Sequence, residues 1–188
     1  AVSAVAFSPD GQRIAAAGGA ITLWDVATGT MIGAPWLRGT SAAVDLAFSP
    51  DGDQVVSANT DGTLLLWDTA TGTVIGDPWH GHTGPVRAVA FSPDGSLVAS
   101  AGSDQRLGLW DVARGTLLGE TWPVGGSALT AVAFNPDGSS LATGDESGTL
   151  TIWDVRFPAW QAAACHIANR NLTRAEWEQY LPGQPYDR

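Results

Sequence analysis

The sequence predicts an all-β fold built by repeating one small antiparallel sheet, and three observations carry that expectation. A phrase recurs: "AVAFSPDG" at residues 4–11, "DLAFSPDG" at 45–52, "AVAFSPDG" at 88–95 and "AVAFNPDG" at 131–138. Its aromatic residues Phe7, Phe48, Phe91 and Phe134 are separated by 41, 43 and 43 residues. A second phrase, "LWD" or "IWD", places Trp24-Asp25, Trp67-Asp68, Trp110-Asp111 and Trp153-Asp154 a uniform 43 residues apart. Between the two phrases lie short apolar runs broken by turn signals. Self-similarity at such a period means stacked supersecondary units, none of which buries its apolar faces alone.

The third copy, residues 82–122, shows each element in turn. "VRAVAF" is β-branched, aromatic and small, a short apolar strand that "SPDG" stops. Pro93 supplies the φ of about −65° wanted at the second position of a type I turn, Asp94 follows, and Gly95 completes the four. "SLVASA" is the second strand and ends at "GSDQ"; "RLGLWD" is the third, and "ARG" turns it into "TLLGETW", the fourth. Turn signals about every 8 to 12 residues describe an antiparallel meander. Val89, Ala90 and Phe91 are all apolar, so period-two alternation is blurred and both faces of the sheet must be covered. Stacking sheet against sheet around an axis does that.

At these residues the chain resembles the WD-repeat family of β-propellers, over residues 1–154. The resemblance implies four WD repeats (about 1–41, 42–84, 85–127 and 128–154), each a propeller blade. It further implies that they belong to a larger ring of about seven blades that acts as a rigid platform for partners. A helical extension is expected over 155–188.

In the third repeat His82, Ser100, Asp104 and Trp110 match the family's polar positions. Indole N–H can only donate, so Ser100 accepts from Trp110 and donates to His82, whose other nitrogen donates to Asp104. The rival reading, a Ser-His-Asp triad, needs an exposed hydroxyl beside oxyanion donors, and Ser100 falls mid-strand; a structural hydrogen-bond network is the expectation and no catalytic residue is assigned. The second repeat keeps Ser57, Asp61 and Trp67 but has Gly39 in place of the His. The fourth keeps Thr143 and Trp153 with Gly125 and Ser147, and in the first "AGGA" replaces the Asp-bearing turn. The full network is therefore expected in the third blade, which should be the most rigid. Trp36, Trp79 and Trp122 recur at 43 in "GAPW", "GDPW" and "GETW"; they are expected to pack between blades, with a rim anchor for partners as the alternative.

Composition narrows the function classes. A chain of 188 residues holds one sizeable core. Nine Arg, no Lys and 19 acidic residues give a net charge of −10, which repels nucleic-acid backbones and anionic membranes, so neither is expected as a partner. Many of the Asp stand in turns, which makes the acidity architectural. One cysteine excludes an internal disulfide framework and fits a reducing compartment, so a cytoplasmic location is expected. No run approaches the roughly 20 apolar residues of a membrane span, and no charged-then-apolar leader opens the chain. It also lacks an initiating Met and begins almost inside a repeat, so a piece of something longer is expected. No Walker-type loop or kinase signature is present, and Cys165-His166 has no further soft ligands nearby; no cofactor or metal is expected.

After Asp154 the period stops and the pattern turns helical. Trp160, Ala163, Ala164 and Ile167 fall on one face. Thr173 reads as an N-cap with Glu176 as its capping-box partner, and Leu172 staples onto Trp177. Trp177, Tyr180 and Leu181 share a face before Pro182-Gly183 ends the helix. "NLT" at Asn171 to Thr173 fits a glycosylation acceptor, but Thr173 already has a capping role. The tail resembles an extension that follows the last WD repeat in large bacterial multidomain signalling proteins. That resemblance implies a STAND- or NACHT-type NTPase, or a Ser/Thr protein kinase, upstream of residue 1.

Three ring arrangements follow, in order of expectation: a piece of about seven blades, two copies joined into eight, or four blades closed alone. The expected function is a non-enzymatic protein–protein interaction scaffold or sensor module of a larger signalling protein. Loops at one mouth of the propeller would bind the partner, with Arg38, Asn59, Asp61, His80, Gln105, Arg106, Asp145 and Glu146 as candidate contacts. One alternative is a hydrolase or lyase in the central channel, where the first strands offer Asp45 and Arg87 as charged candidates. The other is a purely structural oligomerisation domain, with self-association expected if the four repeats are the whole protein.

Overall fold

The computed structural model describes residues 1–37, 41–124 and 126–155, and these form four antiparallel sheets, or blades. Blade 1 runs β1 (Val2–Phe7), β2 (Arg13–Gly18), β3 (Ile21–Asp25) and β4 (Met31–Trp36). Blade 2 runs β5 (Ala43–Phe48), β6 (Gln54–Asn59), β7 (Thr63–Asp68) and β8 (Trp79–His80). In blade 3, β9 (Val86–Phe91), β10 (Leu97–Gly102) and β11 (Arg106–Asp111) are followed by β12 (Thr116–Leu117) and β13 (Trp122–Pro123), which share the outer edge. Blade 4 has three strands, β14 (Leu129–Phe134), β15 (Ser140–Asp145) and β16 (Leu150–Asp154). No helix occurs among the described residues. Arg38, Gly39, Gly125 and the helical tail expected after Val155 lie outside them.

The first hairpin of every blade closes as its residue types dictate. In blade 3 the Gly95 N–H donates to the Ser92 carbonyl at 2.9 Å, and Gly95 takes φ +74°, a left-handed conformation that glycine adopts without steric cost. The outer strands depart from the expected continuous "TLLGETW". Gly119 at φ +78° divides that stretch into β12 and β13, and Gly76 at φ +69° reduces the edge of blade 2 to β8 and one bridge between Trp67 and Val74. A residue in that conformation turns the chain out of the pleat, so only the flanks pair.

Each blade has two apolar faces. One, the leading face, meets the preceding blade; cross-strand rows such as Phe48–Val55–Trp67 lie on it. The other, the trailing face, meets the following blade with rows such as Ala47–Val56–Leu66. The first core cluster joins Ile21, Leu23 and Trp36 of blade 1 to Leu46, Phe48, Val55 and Trp67 of blade 2. The second joins Val56, Leu64, Leu66 and Trp79 to Val86, Val89, Val98 and Trp110. The third joins Ala99, Leu107 and Leu109 to Leu129 and Leu141, with Trp122 and Trp153 packed against them. Each large side chain so buried is worth about 1.5–3 kcal/mol, and every one of these cores needs two blades. That is why the strands lack clean alternation.

Two smaller contacts set the register between blades. Trp36 stacks on Trp67 with centroids 5.9 Å apart, and Trp79 on Trp110 at 5.8 Å. Both outer tryptophans are buried and lie over a glycine of the next blade: a Cβ at Gly72 would sit 2.3 Å from the Trp36 indole nitrogen, and one at Gly115 2.8 Å from that of Trp79. On the same end, Pro9, Pro50 and Pro93 lie against Gly52, Gly95 and Gly138 of the following turn.

The inner strands adjoin in the order β1, β5, β9, β14, and Val2, Val5 and Phe7 on β1 and Leu150 and Ile152 on β16 stay exposed. The four blades form an open arc, which overturns closure of four blades alone.

Candidate interaction surface

Blade 3 contains a buried polar relay. The Trp110 indole N–H donates to Ser100 Oγ at 2.8 Å, and Ser100 Oγ lies 2.7 Å from His82 Nε2. His82 Nδ1 is 3.0 Å from Asp104 Oδ1, and the Thr83 backbone N–H donates to Asp104 Oδ2 at 2.8 Å. One assignment of protons satisfies every group: Ser100 donates to Nε2 of a neutral imidazole whose Nδ1–H donates to the carboxylate. Connectivity alone would describe a Ser-His-Asp triad. Ser100 and the His82 side chain are 0% exposed, however, and Ser100 already accepts an indole N–H, so no acyl group can reach the hydroxyl. Two glycines make room for the relay: a Cβ at Gly102 would lie 2.5 Å from His82 Nδ1, and one at Gly108 2.6 Å from Ser100 Oγ.

Blade 2 reaches the same end by different residues. Trp67 donates to Ser57 Oγ at 3.0 Å, and Ser57 donates to Asn59 Oδ1 at 3.3 Å. Asn59 Nδ2 then donates to the carbonyl and hydroxyl oxygens of Thr63. Asn59 holds the position that is Gly102 in blade 3, and its side chain does the work of the missing histidine. In blade 4 Trp153 donates to Thr143 Oγ1 at 3.0 Å. In blade 1, where Ala16 replaces the hydroxyl residue, Trp24 donates to Thr22 of its own strand at 2.9 Å.

The two ends of the arc differ. One carries the Ser-Pro-Asp-Gly turns and the turns "VATGT", "TATGT" and "VARGT", nearly the same in every copy. Its carboxylates are spent on the turns themselves. The Ser8, Ser49 and Ser92 hydroxyls hold Asp10, Asp51 and Asp94 below the usual aspartate range, aided by backbone N–H groups; Thr28 and Thr71 do the same for Asp25 and Asp68. At the other end the turns read "TDG", "SDQ" and "ESG" at 60–62, 103–105 and 146–148. There Arg87 donates to Ser103 at 2.6 Å and lies 3.6 Å from Glu146, linking blades 3 and 4 through half-exposed side chains.

A family model described as WD domain, G-beta repeat, matches residues 1–25, 35–68, 73–111 and 119–154. The chain belongs to the WD-repeat family. No curated protein matches it. WD repeats generally mediate protein–protein interactions and are typically non-catalytic.

Among these WD repeats the sequence-derived candidates divide by what their side chains already do. Asn59 is 3% exposed and serves the blade 2 relay, which takes it off the surface. Asp61 accepts from the Thr63 N–H and hydroxyl, and Asp145 from the N–H groups of Ser147 and Thr149. Arg106 donates to the Thr121 hydroxyl and carbonyl, clamping the outer edge of blade 3. His80, Gln105 and Glu146 are exposed at the variable end. Gln105 also has φ +64°, where Gly62 and Gly148 stand at the matching positions of blades 2 and 4. Sequence reasoning missed Arg87 as a loop-end residue, because it sits inside a strand motif and only the register of β9 brings it beside Ser103 and Glu146.

Proposed function

We propose that the chain is a non-enzymatic interaction module, the sensor or scaffold arm of a larger cytoplasmic signalling protein. A partner protein docks on the end that displays His80, Arg87, Gln105 and Glu146. Gln105 is the observation that carries this reading. An L-residue in the left-handed region costs about 1–2 kcal/mol relative to glycine, yet blade 3 holds a long polar side chain there and exposes it. Strain kept at an exposed turn points to use of the side chain. The opposite end has its carboxylates committed to its own turns. The charged residues of the inner strands are likewise engaged, Asp45 by the Val89 N–H and Arg87 by Ser103 and Glu146, which argues against channel chemistry.

Photo-crosslinkers placed at His80 and at Gln105, and as controls at Thr28 and Thr71, test the surface. Adducts should form from the first pair, and Gln105→Gly should weaken partner binding while raising the unfolding midpoint. Equal adduct yield from both ends, or undiminished binding by Gln105→Gly, would overturn the assignment.

A further inference from the structure

We propose that Arg87 is the anchor of the docking surface and receives a carboxylate from an acidic segment of the partner protein, with Glu146 as the chain's own competitor for that place. The inference rests on the reading that a partner docks at this end, and names the chemistry the end selects.

Arg87 stands where the fold re-aims a side chain. Val86 pairs with Gly102 and Ala88 with Ala101, so Arg87 is an extra residue, a bulge in β9, and a bulge turns its side chain out of the strand's alternation. Ser3, Val44 and Thr130 hold the same place in blades 1, 2 and 4. Ser3 and Thr130 spend their hydroxyls on the carbonyls of Ala43 and Gly144, and Val44 has no polar group. Blade 3, which has a described blade on each side, alone puts a charge there.

The guanidinium is fixed but not used up. Nε donates to Ser103 Oγ at 2.6 Å, and the Ser103 N–H is itself held by the Pro85 carbonyl at 2.8 Å. That bond sets the plane of the group and leaves the end formed by Nη1 and Nη2. Glu146 Oε1 stands 3.6 Å from Nη2, within ion-pair range but beyond a hydrogen bond. Among the described arginines, Arg87 is the one whose two Nη groups both lack a hydrogen bond: Arg13 donates to Thr69 and Gly52, Arg106 to Thr121, and Arg114 to Asp111. A planar fork of parallel N–H groups matches the two oxygens of a carboxylate. Glu146 holds that place loosely, since an exposed pair of charges is worth little, and an incoming carboxylate displaces it at small cost. The chain's net charge of −10 opposes an acidic partner at long range, but salt screens that field beyond about 8 Å, so contact geometry decides.

NMR of the arginine Nε–Hε groups in the full chain, titrated with acetate at constant ionic strength, tests the anchor. The Arg87 signal should follow a saturating curve while those of Arg106 and Arg114 stay in place, and Glu146→Gln should tighten the response about threefold. On the partner itself, adducts from a photo-crosslinker at His80 should increase with Glu146→Gln. They should fall at least about tenfold with Arg87→Lys, which keeps the charge and loses the fork, both variants retaining blade structure by circular dichroism. A linear drift shared by all the arginines, a response to inorganic phosphate with none to acetate, or adducts that decline with Glu146→Gln, as a basic partner would give, would each overturn the proposal. Undiminished adducts from Arg87→Lys would overturn the carboxylate and leave the docking end in place, whereas no adducts from the wild type would overturn the docking end and this inference with it.

Discussion

Blades 2 and 3 solve one problem in two ways. Each buries a tryptophan whose indole N–H must be satisfied, and each gives it a serine at the same place in the second strand. Blade 3 continues through His82 and Asp104, 22 residues apart in sequence, and so ties the segment that enters the blade to the turn between its second and third strands. Blade 2 continues through Asn59, two residues along the same strand, and ends on Thr63. Both leave no buried side-chain nitrogen or oxygen without a partner among the described residues. A satisfied core can therefore be bought with local groups or distant ones, but only the distant ones also hold a loop.

The largest effect expected from this contrast is for Ser100→Ala. It strands the Trp110 N–H and the His82 imidazole together, and each buried orphan costs about 1–3 kcal/mol. Urea unfolding should show a loss of about 3 kcal/mol for Ser100→Ala and about half that for Ser57→Ala, where Asn59 keeps its bonds to Thr63. Equal losses would erase the distinction between the two relays.

A graft sharpens it. His82→Gly should destabilise by about 2 kcal/mol, and adding Gly102→Asn, whose Cβ requires Asp104 Oδ1 to move from 2.3 Å and whose amide finds Arg106 where blade 2 has Thr63, should return at most about 1 kcal/mol of that. If the double variant is as unstable as the sum of the singles, Asn59 is not a substitute for the histidine.

A smaller effect sits at the junction of the two blades. Asp45 on β5 accepts the Val89 N–H of β9 at 2.9 Å, and burial raises its carboxyl above the ordinary aspartate range, partly offset by the Val89 and Leu46 N–H groups. A carboxyl raised on folding stabilises below its unfolded value and loses that contribution as pH rises through the folded one. Asp45→Asn keeps an acceptor without the charge, so it should raise the thermal midpoint at neutral pH, with the gain vanishing near about pH 4. A midpoint difference independent of pH would rule out the carboxylate as its source. The smallest effect is kinetic: amides of β10 and β11 should exchange more slowly than those of β2 and β3, whose tryptophan has only a hydroxyl of its own strand. Equal protection would mean that the relay adds no rigidity.

Much of this was legible from residue types alone. Ser-Pro-Asp-Gly dictates its turn through local chemistry, and the donor-only indole beside Ser100, His82 and Asp104 leaves few ways to arrange protons. Asn59 was not legible as a core residue, since Gly18, Gly102 and Asp145 fill the same place elsewhere and nothing local says that an amide turns inward toward Ser57. The broken outer edges were missed for a related reason. "TLLGETW" has the composition of a strand, and only Gly119 at φ +78° decides that its middle leaves the sheet.

The stair of Pro9 on Gly52, Pro50 on Gly95 and Pro93 on Gly138 has a consequence for how such a gene can grow. Every repeat carries both halves of the joint, a proline to give and a glycine to receive. Duplicating one whole repeat therefore inserts a blade that brings both halves of the joint with it, and the joint forms across the 41-residue step from Pro9 to Pro50 as it does across the 43-residue step from Pro50 to Pro93. The array can lengthen by copying without a single compensating substitution.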